Sequence, residues 1–241
     1  MYVVGIGPGG PQHRTFRAVE AIGESRVVVG YTPYLDAIGD LIDGKQQIAS
    51  GMTYEIDRCR QALQRAVAGD VVALISSGDP GVYGMAGLTL ELADAEGLRV
   101  PIEVVPGVTA ATAAAAALGA PLMLDFAAIS LSDLLVPWDM IRQRLKAVAA
   151  ADLVTVLYNP RSKKRVHQLT ETLEIFREVR PGGTPVGIVS GAGQFDQSLV
   201  ITDLDHADRQ HVDMRSIVII GNNHTRRIDS WMVTARGYFV S

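Results

Sequence analysis

The stretch SSGDPGVYG, at residues 76–84, decides the fold class of this sequence. It directly follows the short apolar run VVALI at residues 71–75 and combines three glycines with a proline and one carboxylate. Glycine and proline after a branched apolar run are typical of a buried strand that ends in a stiff loop. Such a loop either turns the chain or holds a ligand.

Short apolar runs alternate with helical patterns through the first half of the chain. The runs are residues 2–6, 26–29, 71–75 and 102–105. Each is followed by turn residues and a stretch with helical spacing, which predicts parallel βαβ units with helices on the faces of a sheet. The alanine-rich stretch at residues 109–118 is expected to be a closely packed buried helix, because alanine favours helices and has a thin profile.

A second series of strands follows the segment LGAPLMLDF at residues 118–126. Its runs are residues 128–131, 153–157, 185–189, 199–202, 216–220 and 231–234. The last of them come close together with little helix between them, which predicts antiparallel additions to the sheet. The sequence therefore predicts two α/β domains, residues 1–119 and 120–241.

The composition indicates a globular protein in which any anionic partner is held by local basic clusters. Of its 241 residues, 48% are hydrophobic and 20% are charged, with a formal net charge of -4. This charge gives no broad field for nucleic acid or membranes, so neither is an expected partner. The lone Cys59 follows helical spacing and is expected in the core. No apolar run reaches transmembrane length and no signal peptide is visible, which predicts a cytoplasmic protein.

One motif suggests a nicotinamide cofactor, but its context argues against that interpretation. GIGPGG at residues 5–10 matches the G-x-G-x-x-G pattern of dinucleotide-binding proteins. Pro8 and Pro11 stiffen a loop that normally opens a helix under a pyrophosphate. The second strand also lacks the acidic residue that would bind the ribose, since the first acid after it is Asp36. An oxidoreductase function would rest on the glycines alone.

Four loops occupy the carboxyl ends of predicted strands, where ligands bind in open α/β sheets. They are residues 5–10, 76–84, 105–111 and 157–165. The first three contain no lysine or arginine, and only Asp79 carries a charge among their backbone groups and small hydroxyls. Their stiffness predicts a preformed pocket for a polar or cationic ligand.

These loops, with three further motifs, resemble those of the cobalamin-pathway tetrapyrrole methyltransferases, which use S-adenosylmethionine. The further motifs are GYTPYLDAI at residues 30–38, DFAAISLSDLLVPW at residues 125–138 and VDMRSIVIIGN at residues 212–222. The resemblance covers residues 3–238 and is most specific to the precorrin-3B C17-methyltransferase branch. It implies two α/β domains with a cleft between them, a homodimer, and methylation of C17 of precorrin-3B with ring contraction to precorrin-4.

The resemblance also implies which residues bind the cofactor. Carried over motif by motif, the contacts with S-adenosylmethionine come from Pro8, Ser77, Gly78, Asp79, Val82, Thr109, Ala110, Tyr158, Asn159, Gly187 and Ser216. Methyl transfer from a sulfonium mainly requires alignment of donor and acceptor. The lack of an evident catalytic triad is therefore compatible with this function.

Ring contraction moves protons, so acid/base groups are expected near the cleft. The candidates are Asp125, Ser132, Asp133 and Tyr83. The alternative for Ser132 and Asp133 is that they cap the helix that follows. Carboxylate side chains on the substrate would suit cations, and the candidates are Arg161, Lys163 and Arg14. The alternative for the run RSKKR is a solvated helix face.

One departure from the family pattern bears on activity. Relatives commonly carry a histidine before the Asp-Phe pair, where this chain has Leu124, which cannot transfer a proton. Leu124 therefore leaves open a non-catalytic tetrapyrrole-binding homologue. Separately, the sequence does not distinguish precorrin-3B from cobalt-factor III, the cobalt-loaded substrate of the anaerobic route. A methyltransferase acting on RNA or protein is disfavoured by the absence of a basic surface. The five histidines show no metal-ligand spacing, so no protein-bound metal is expected.

Overall fold

A computed structural model of the chain divides into two compact units, Met1–Ala110 and Ala111–Ser241. The structure describes residues 1–238. Both units contain sheets and helices, so the predicted α/β class is confirmed. The domain boundary placed after residue 119 stays a prediction. Within residues 1–238, no helix has both the length and the apolar character that crossing a membrane requires.

The first unit is built on a five-stranded parallel sheet, as the alternating pattern predicts. The strands are β1 (Tyr2–Gly5), β2 (Val27–Tyr31), β3 (Gln46–Ser50), β4 (Val72–Ser76) and β5 (Glu103–Val105), in the order β3-β2-β4-β1-β5. All four pairings are parallel. The helices are α1 (Phe16–Glu24), α2 (Thr32–Asp36), α3 (Glu55–Val67) and α4 (Ala86–Ala95).

Both faces of this sheet are buried, because successive strand residues point to opposite sides. Val4, Val28 and Ile75 pack in one apolar cluster, whereas Val3 and Leu74 belong to the cluster on the other face. The second cluster also contains the cysteine of α3, which is fully buried as predicted. Burial raises the pKa of the Cys59 thiol, so it stays protonated in this core.

The second unit contains the alanine-rich helix and a mixed sheet. Its main sheet joins β7 (Phe126–Ser130), β8 (Val154–Tyr158), β9 (Pro185–Ser190), β10 (Ser198–Asp203) and β11 (Ser216–Ile220) in the order β10-β9-β11-β8-β7. The helices are α5 (Ala110–Leu118), α6 (Trp138–Ala150) and α7 (Gln168–Arg177). Within this main sheet β7 and β8 pair in parallel and the other pairings are antiparallel, as expected for the later strands. The helix predicted in the alanine-rich stretch is confirmed, but α5 is buried along one face only.

The last predicted strand does not extend this main sheet, and that expectation is wrong. It forms a separate sheet from β6 (Gly119–Ala120), β12 (Thr225–Ile228) and β13 (Trp231–Thr234), in the order β12-β13-β6. Buried hydroxyls hold it in place: the Thr225 and Thr234 hydroxyls lie 2.8 Å apart, and the Thr234 hydroxyl donates to the carbonyl of Pro121 at 2.6 Å. Because buried hydroxyls need hydrogen-bond partners, these contacts favour the observed pairing.

Candidate functional site

Three glycine-containing loops lie at one edge of the sheet in the first unit. We call residues 6–10 the first loop, residues 77–85 the second loop and residues 106–109 the third loop. They follow β1, β4 and β5, and β1 pairs with both of the others. Because these strands are parallel, their carboxyl ends meet at the same edge and the loops are neighbours.

The first and second loops are joined through their backbones. The amide of Gly7 donates to the carbonyl of Gly78 at 3.1 Å, and the amide of Gly78 donates back to Gly7 at 2.8 Å. Beside them, the amide of Ile6 donates to the carbonyl of Ser76 at 3.0 Å. The two loops are therefore joined by an isolated antiparallel bridge just beyond the ends of the parallel strands β1 and β4.

The third loop lies so close to the second that a side chain at residue 107 would not fit between them. A Cβ atom on Gly107 would lie 2.1 Å from the carbonyl oxygen of Gly78, and a Cβ on Gly5 would lie 2.7 Å from the same oxygen. Only glycine fits where backbones pack this tightly. The loops are thus held as one packed backbone surface, which is the preformed arrangement that a ligand site requires.

The carboxylate of Asp79 holds the second and third loops together. Its Oδ1 accepts from the amide of Gly81 at 2.8 Å, and its Oδ2 accepts from the amide of Gly107 at 3.0 Å. Both oxygens are therefore engaged by backbone groups. The predicted role of Asp79 as a cofactor contact stays a prediction, but these contacts make it a positioning residue for the loops.

The other predicted contacts in the first unit differ in their accessibility. Pro8 and Gly78 are buried, whereas Ser77, Val82 and Thr109 are partly exposed. Ala110, at the start of α5, is also partly exposed. No lysine or arginine lies in the three loops. Their lining consists of backbone dipoles and hydroxyls, which suits a ligand carrying a positive or zwitterionic group better than a polyphosphate.

A small cavity lies against the second loop and was not foreseen from the sequence. It has a volume of about 190 Å³, and its lining includes Tyr31, Tyr34, Arg58, Ser77 and Tyr83. Burial raises the pKa of the Tyr34 phenol, while the positive charge of Arg58 and a hydrogen bond with Ser77 act in the opposite direction. The signal in the sequence was helical spacing, because Arg58 lies next to Cys59 and four residues before Ala62, on the buried face of α3.

In the second unit, a polar cluster lies at the carboxyl ends of the parallel strands β7 and β8. It consists of Ser130, Ser132, Asn159 and Arg165. The amide nitrogen of Asn159 donates to the Ser130 hydroxyl at 3.0 Å, and Arg165 Nε donates to the Asn159 carbonyl at 2.9 Å. A contact of 3.5 Å joins Arg165 Nη1 to the Ser132 hydroxyl. Burial lowers the pKa of the Arg165 guanidinium, and the nearby Asp133 acts in the opposite direction.

Two of the three predicted catalytic residues, Ser132 and Asp133, are adjacent in sequence and lie in the polar region after β7, whereas the third does not. Ser132 and Asp133 follow β7, and the Asp133 carboxylate accepts from the side-chain amide of Gln168 at 3.0 Å. The alternative that they cap the next helix is wrong, because α6 begins at Trp138 after Pro137. Asp125 is exposed and precedes β7, so it lies at the opposite end of that strand. Its predicted catalytic role is not supported by proximity to the other two.

The remaining predicted cofactor contacts in the second unit have identifiable structural partners. The Tyr158 hydroxyl accepts from the amide of Ala111 at 3.0 Å. The Ser216 hydroxyl donates to the Asp213 carboxylate at 2.8 Å and accepts from the Asp213 amide at 3.0 Å. Gly187 lies inside β9, where a Cβ would come within 2.4 Å of Leu118 Cδ1. Their roles toward a cofactor stay predictions.

The predicted substrate-binding cations fall into different environments. Arg14 is almost fully buried and pairs with the Asp40 carboxylate at 2.7 Å and the Ala37 carbonyl at 2.6 Å, which favours a structural role. Lys163 is exposed, and Arg161 is partly exposed with a buried Nε that has no hydrogen-bond partner. The RSKKR run is not a helix face, since α7 begins only at Gln168. Within it, Arg165 is the buried anchor, which the sequence pattern did not reveal.

Comparison with known proteins identifies the family. The family model described as Tetrapyrrole (Corrin/Porphyrin) Methylases matches residues 1–208. This chain belongs to the tetrapyrrole methylase family. The resemblance drawn from the loop motifs is therefore confirmed.

Similar proteins match the chain over nearly its whole length. A probable cobalt-factor III C(17)-methyltransferase of Salmonella typhimurium is 47% identical over 236 residues, covering 98% of each chain. A precorrin-3B C(17)-methyltransferase of a Sinorhizobium species is 44% identical, covering 95% of this chain and 91% of the relative. The similarity thus extends through both units and includes the loops described above.

Solved structures of the family share the fold. The methyltransferase CobJ superposes with a TM-score of 0.92 at 39% identity, covering 97% of this chain and 98% of CobJ. A uroporphyrin-III C-methyltransferase from Thermus thermophilus, solved in complex with S-adenosylhomocysteine, has a TM-score of 0.70 at 27% identity, covering 91% of this chain and 96% of that one. The predicted fold of two α/β domains is confirmed by these family members.

Proposed function

We propose that this chain is an S-adenosylmethionine-dependent methyltransferase that methylates C17 of precorrin-3B, with ring contraction to precorrin-4, in cobalamin biosynthesis. The observation that carries the proposal is the packed surface of three loops without lysine or arginine in a member of this family. The substrate is inferred from the precorrin-3B and cobalt-factor III relatives, which match almost the entire chain.

The loops of the first unit fit the cofactor in their chemistry. S-adenosylmethionine carries a sulfonium and a zwitterionic amino-acid end, which favour dipoles and hydroxyls over a cluster of cations. Gly78 has a φ of +63°, a left-handed conformation that glycine adopts without strain. A Cβ there would contact the backbone of residues 108–110 at 3.8–3.9 Å, so the second loop lies directly against the third. The first two loops, with Ser77 and Thr109, would hold the amino-acid and ribose end.

The contribution of the chain to methyl transfer is alignment. The bound cofactor supplies an activated methyl group on sulfur, and attack on it is an in-line displacement. Near-attack geometry accounts for roughly 7–11 kcal/mol of barrier reduction in favourable model reactions. Loops locked by the Gly7–Gly78 bridge and by Asp79 keep the donor in one position, so little reorganisation is needed at the moment of reaction.

Proton movements during ring contraction require an acid/base group, and the polar cluster of the second unit offers one arrangement. The Ser132 hydroxyl lies 3.5 Å from Nη1 of the Arg165 guanidinium. Asp133 lies beside them and is held by Gln168. We propose Ser132 and Asp133 for this role, because Leu124 cannot serve and Asp125 lies at the other end of β7.

A second candidate function is methylation of cobalt-factor III, the cobalt-loaded substrate. It is favoured by the name of the Salmonella relative at 47% identity, against 44% for the precorrin-3B relative. The two substrates share a carboxylated macrocycle, and any cobalt would arrive as part of the substrate. A non-catalytic tetrapyrrole-binding protein would bind both ligands without turnover.

The decisive experiment combines calorimetry with turnover. Purified protein is titrated with S-adenosylhomocysteine, and methyl transfer from radiolabelled S-adenosylmethionine is then measured on precorrin-3B and on cobalt-factor III. We expect stoichiometric cofactor binding that Asp79→Ala/Pro80→Ala removes, and turnover of one of the two tetrapyrroles. Asp94→Ala, an exposed aspartate on α4, is the matched control and should leave binding unchanged.

The possible results separate the alternatives. A folded protein that does not bind S-adenosylhomocysteine would refute the methyltransferase function. Binding of both ligands without turnover would support the non-catalytic alternative and would make Leu124 the residue to restore to histidine. The homodimer and the cytoplasmic setting expected from the sequence stay predictions, of which light scattering on a sizing column tests the first.

A further inference from the structure

Arg58, on α3 of the first unit, is a buried cation without an acidic partner. Its exposed fraction is 3%, and it forms no ion pair with any carboxylate in residues 1–238. Its Nε donates to the Ser50 hydroxyl at 2.8 Å, and one terminal nitrogen donates to the Gly51 carbonyl at 2.7 Å. The other terminal nitrogen meets only the sulfur of Met85, at 3.9 Å. Burial of a charge is unfavourable unless an opposite charge compensates it.

The guanidinium has hydrogen-bonding capacity to spare. Arginine carries five N–H donors, and the neutral oxygens of Ser50 and Gly51 take two of them. A thioether is a weak acceptor, so the nitrogen beside Met85 is poorly satisfied. The planar group is suited to a carboxylate, which it can bind through two parallel hydrogen bonds.

Arg58 and Met85 both line the cavity against the second loop. Tyr83, at 55% exposure, marks where that cavity of about 190 Å³ reaches the surface. Pockets for whole drug-sized ligands occupy roughly 300–1,000 Å³. The cavity is therefore too small for a macrocycle or an entire nucleoside cofactor, but it can take a short carboxylate arm.

The walls of the cavity supply further donors and one opposing charge. The Tyr31 ring packs edge to face against Tyr34 with centroids 5.1 Å apart, and the Arg58 guanidinium lies 5.8 Å from the Tyr31 centroid. The tyrosine rings are fixed in place by this packing. Glu55 is the only anion of the lining, and its carboxylate accepts from the amide of Thr53 at 3.3 Å at the start of α3. Arg58 is the only cation there.

We propose that this cavity is a carboxylate subsite in which Arg58 binds the ligand and the hydroxyls of Tyr34 and Ser77 complete the contacts. The inference rests on the proposed function, because both reactants of that reaction carry carboxylates. One source is an acetate or propionate side chain of the tetrapyrrole, and the other is the methionine carboxylate of S-adenosylmethionine. The two sources share their chemistry, and binding measurements distinguish them.

The test compares Arg58→Met, Arg58→Lys and a matched control, Arg60→Met. Arg60 lies on the same helix but pairs with Glu96 at 2.7 Å, outside the cavity lining. Each folded variant, checked by circular dichroism and melting temperature, is titrated with three compounds. These are S-adenosylhomocysteine, 5′-methylthioadenosine, which lacks the amino-acid end, and precorrin-3B in the presence of S-adenosylhomocysteine.

The subsite predicts a loss of at least tenfold in one affinity with Arg58→Met, a smaller loss with Arg58→Lys and none with Arg60→Met. A loss confined to precorrin-3B assigns the cavity to the macrocycle. A loss for S-adenosylhomocysteine, with methylthioadenosine unchanged, assigns it to the cofactor. If all three affinities stay within twofold in a folded Arg58→Met variant, the subsite is refuted and Arg58 only anchors Ser50 and Gly51.

Two further outcomes are decisive. If Arg58→Met does not fold, Arg58→Lys and Tyr34→Phe are compared with wild type, and unchanged binding in both overturns the proposal. A wild-type chain that binds none of the three compounds refutes the proposed function and the subsite together. If the wild type binds the compounds and Arg58→Met binds them equally well, the subsite alone is refuted. The failure of the subsite and the failure of the proposed function are therefore distinguishable.

Discussion

The Asp79 carboxylate accepts the backbone amide of Gly107 at 3.0 Å, and so ties together two loops that are 28 residues apart in sequence. Its other oxygen accepts the amide of Gly81 at 2.8 Å within its own loop. Because both oxygens bind backbone amides, the contribution of Asp79 is to fix the loop geometry on which a ligand would rest. The stretch SSGDPGVYG at residues 76–84 therefore has a structural function in addition to the proposed ligand-binding function.

Replacing Asp79 with asparagine should separate the two loops. Asparagine keeps one oxygen acceptor but turns an NH2 group toward the second amide, which loses its partner. A backbone donor left without an acceptor costs about 1–3 kcal/mol. We expect Asp79→Asn to lower the free energy of unfolding by that amount in urea and to weaken S-adenosylhomocysteine binding at least tenfold. If the affinity for S-adenosylhomocysteine is unchanged, ligand binding does not depend on the contact between the two loops.

The close approach of Gly107 to Gly78 gives a second prediction. An alanine Cβ at residue 107 would lie 2.1 Å from a backbone oxygen, so the third loop would have to move. Overpacking of this kind destabilises proteins by about 1–3 kcal/mol. Gly107→Ala should therefore lower the melting temperature by several degrees.

Gly87 is the matched control, because a Cβ there has no neighbour within 4 Å. It lies on α4, where alanine is favoured over glycine by about 0.5–1 kcal/mol. Gly87→Ala should therefore raise stability slightly. If Gly107→Ala and Gly87→Ala change the melting temperature equally, the third loop can move away from the Gly78 carbonyl at little cost.

The pairing of Arg14 with Asp40 makes stability depend on pH in the acid range. The hydrogen bond from Arg14 lowers the pKa of the Asp40 carboxyl below its usual value. A carboxyl whose pKa is lower in the folded state stabilises the fold above its unfolded pKa, about 3.9, and loses that effect as pH falls through the lower folded value. Asp40→Asn should make the acid limb of a stability curve shallower below about pH 4.

The comparison for this prediction is Asp94→Asn, since Asp94 meets only an exposed arginine, Arg99, at 3.9 Å. Its acid limb should match that of the wild type when urea unfolding is measured across pH values. A curve for Asp40→Asn that superimposes on the wild type would show that the Arg14 pair contributes nothing. In that case Arg14 would again be a candidate for substrate binding.

Much of the fold followed from local sequence pattern, and the missed elements share a physical cause. Strands β1, β4 and β8 are buried on both faces, so they are continuous apolar runs that are easily recognised. Strand β3, QQIAS, and strand β12, TRRI, were missed. Both have only one neighbouring strand and tolerate polar or charged residues. Such strands form because they hydrogen-bond to a neighbouring strand, so their own composition does not reveal them.

The features of the site that lie within one sequence motif could be predicted. Those that depend on contacts between distant segments could not. Glycine and proline marked the loops, because they report backbone conformation directly. The contact of Asp79 with Gly107 and the burial of Arg58 and Arg165 depend on packing between segments far apart in sequence. A charged residue in a helix or loop looks solvent-exposed until the fold is known. The separation of Asp125 from Ser132 has a local cause instead, because strand β7 lies between them.

The predicted cofactor contact at Gly187 gives the final prediction. A Cβ at this position in β9 would lie 2.4 Å from Leu118 Cδ1, and Leu118 is fully buried. If packing is the reason for the glycine, Gly187→Ala should destabilise the fold by about 1–3 kcal/mol while the folded fraction keeps its affinity for S-adenosylhomocysteine. Leu118→Ala alone should cost about 2–5 kcal/mol by leaving a cavity.

The double variant discriminates between packing and ligand contact. A methyl group at residue 187 would fill part of the space vacated by Leu118. The double variant Gly187→Ala/Leu118→Ala should therefore be more stable than the sum of the two single effects, by about 0.5–3 kcal/mol. Strict additivity in urea unfolding, together with a loss of cofactor affinity in Gly187→Ala, would instead assign this glycine to the ligand, as the sequence motif predicts.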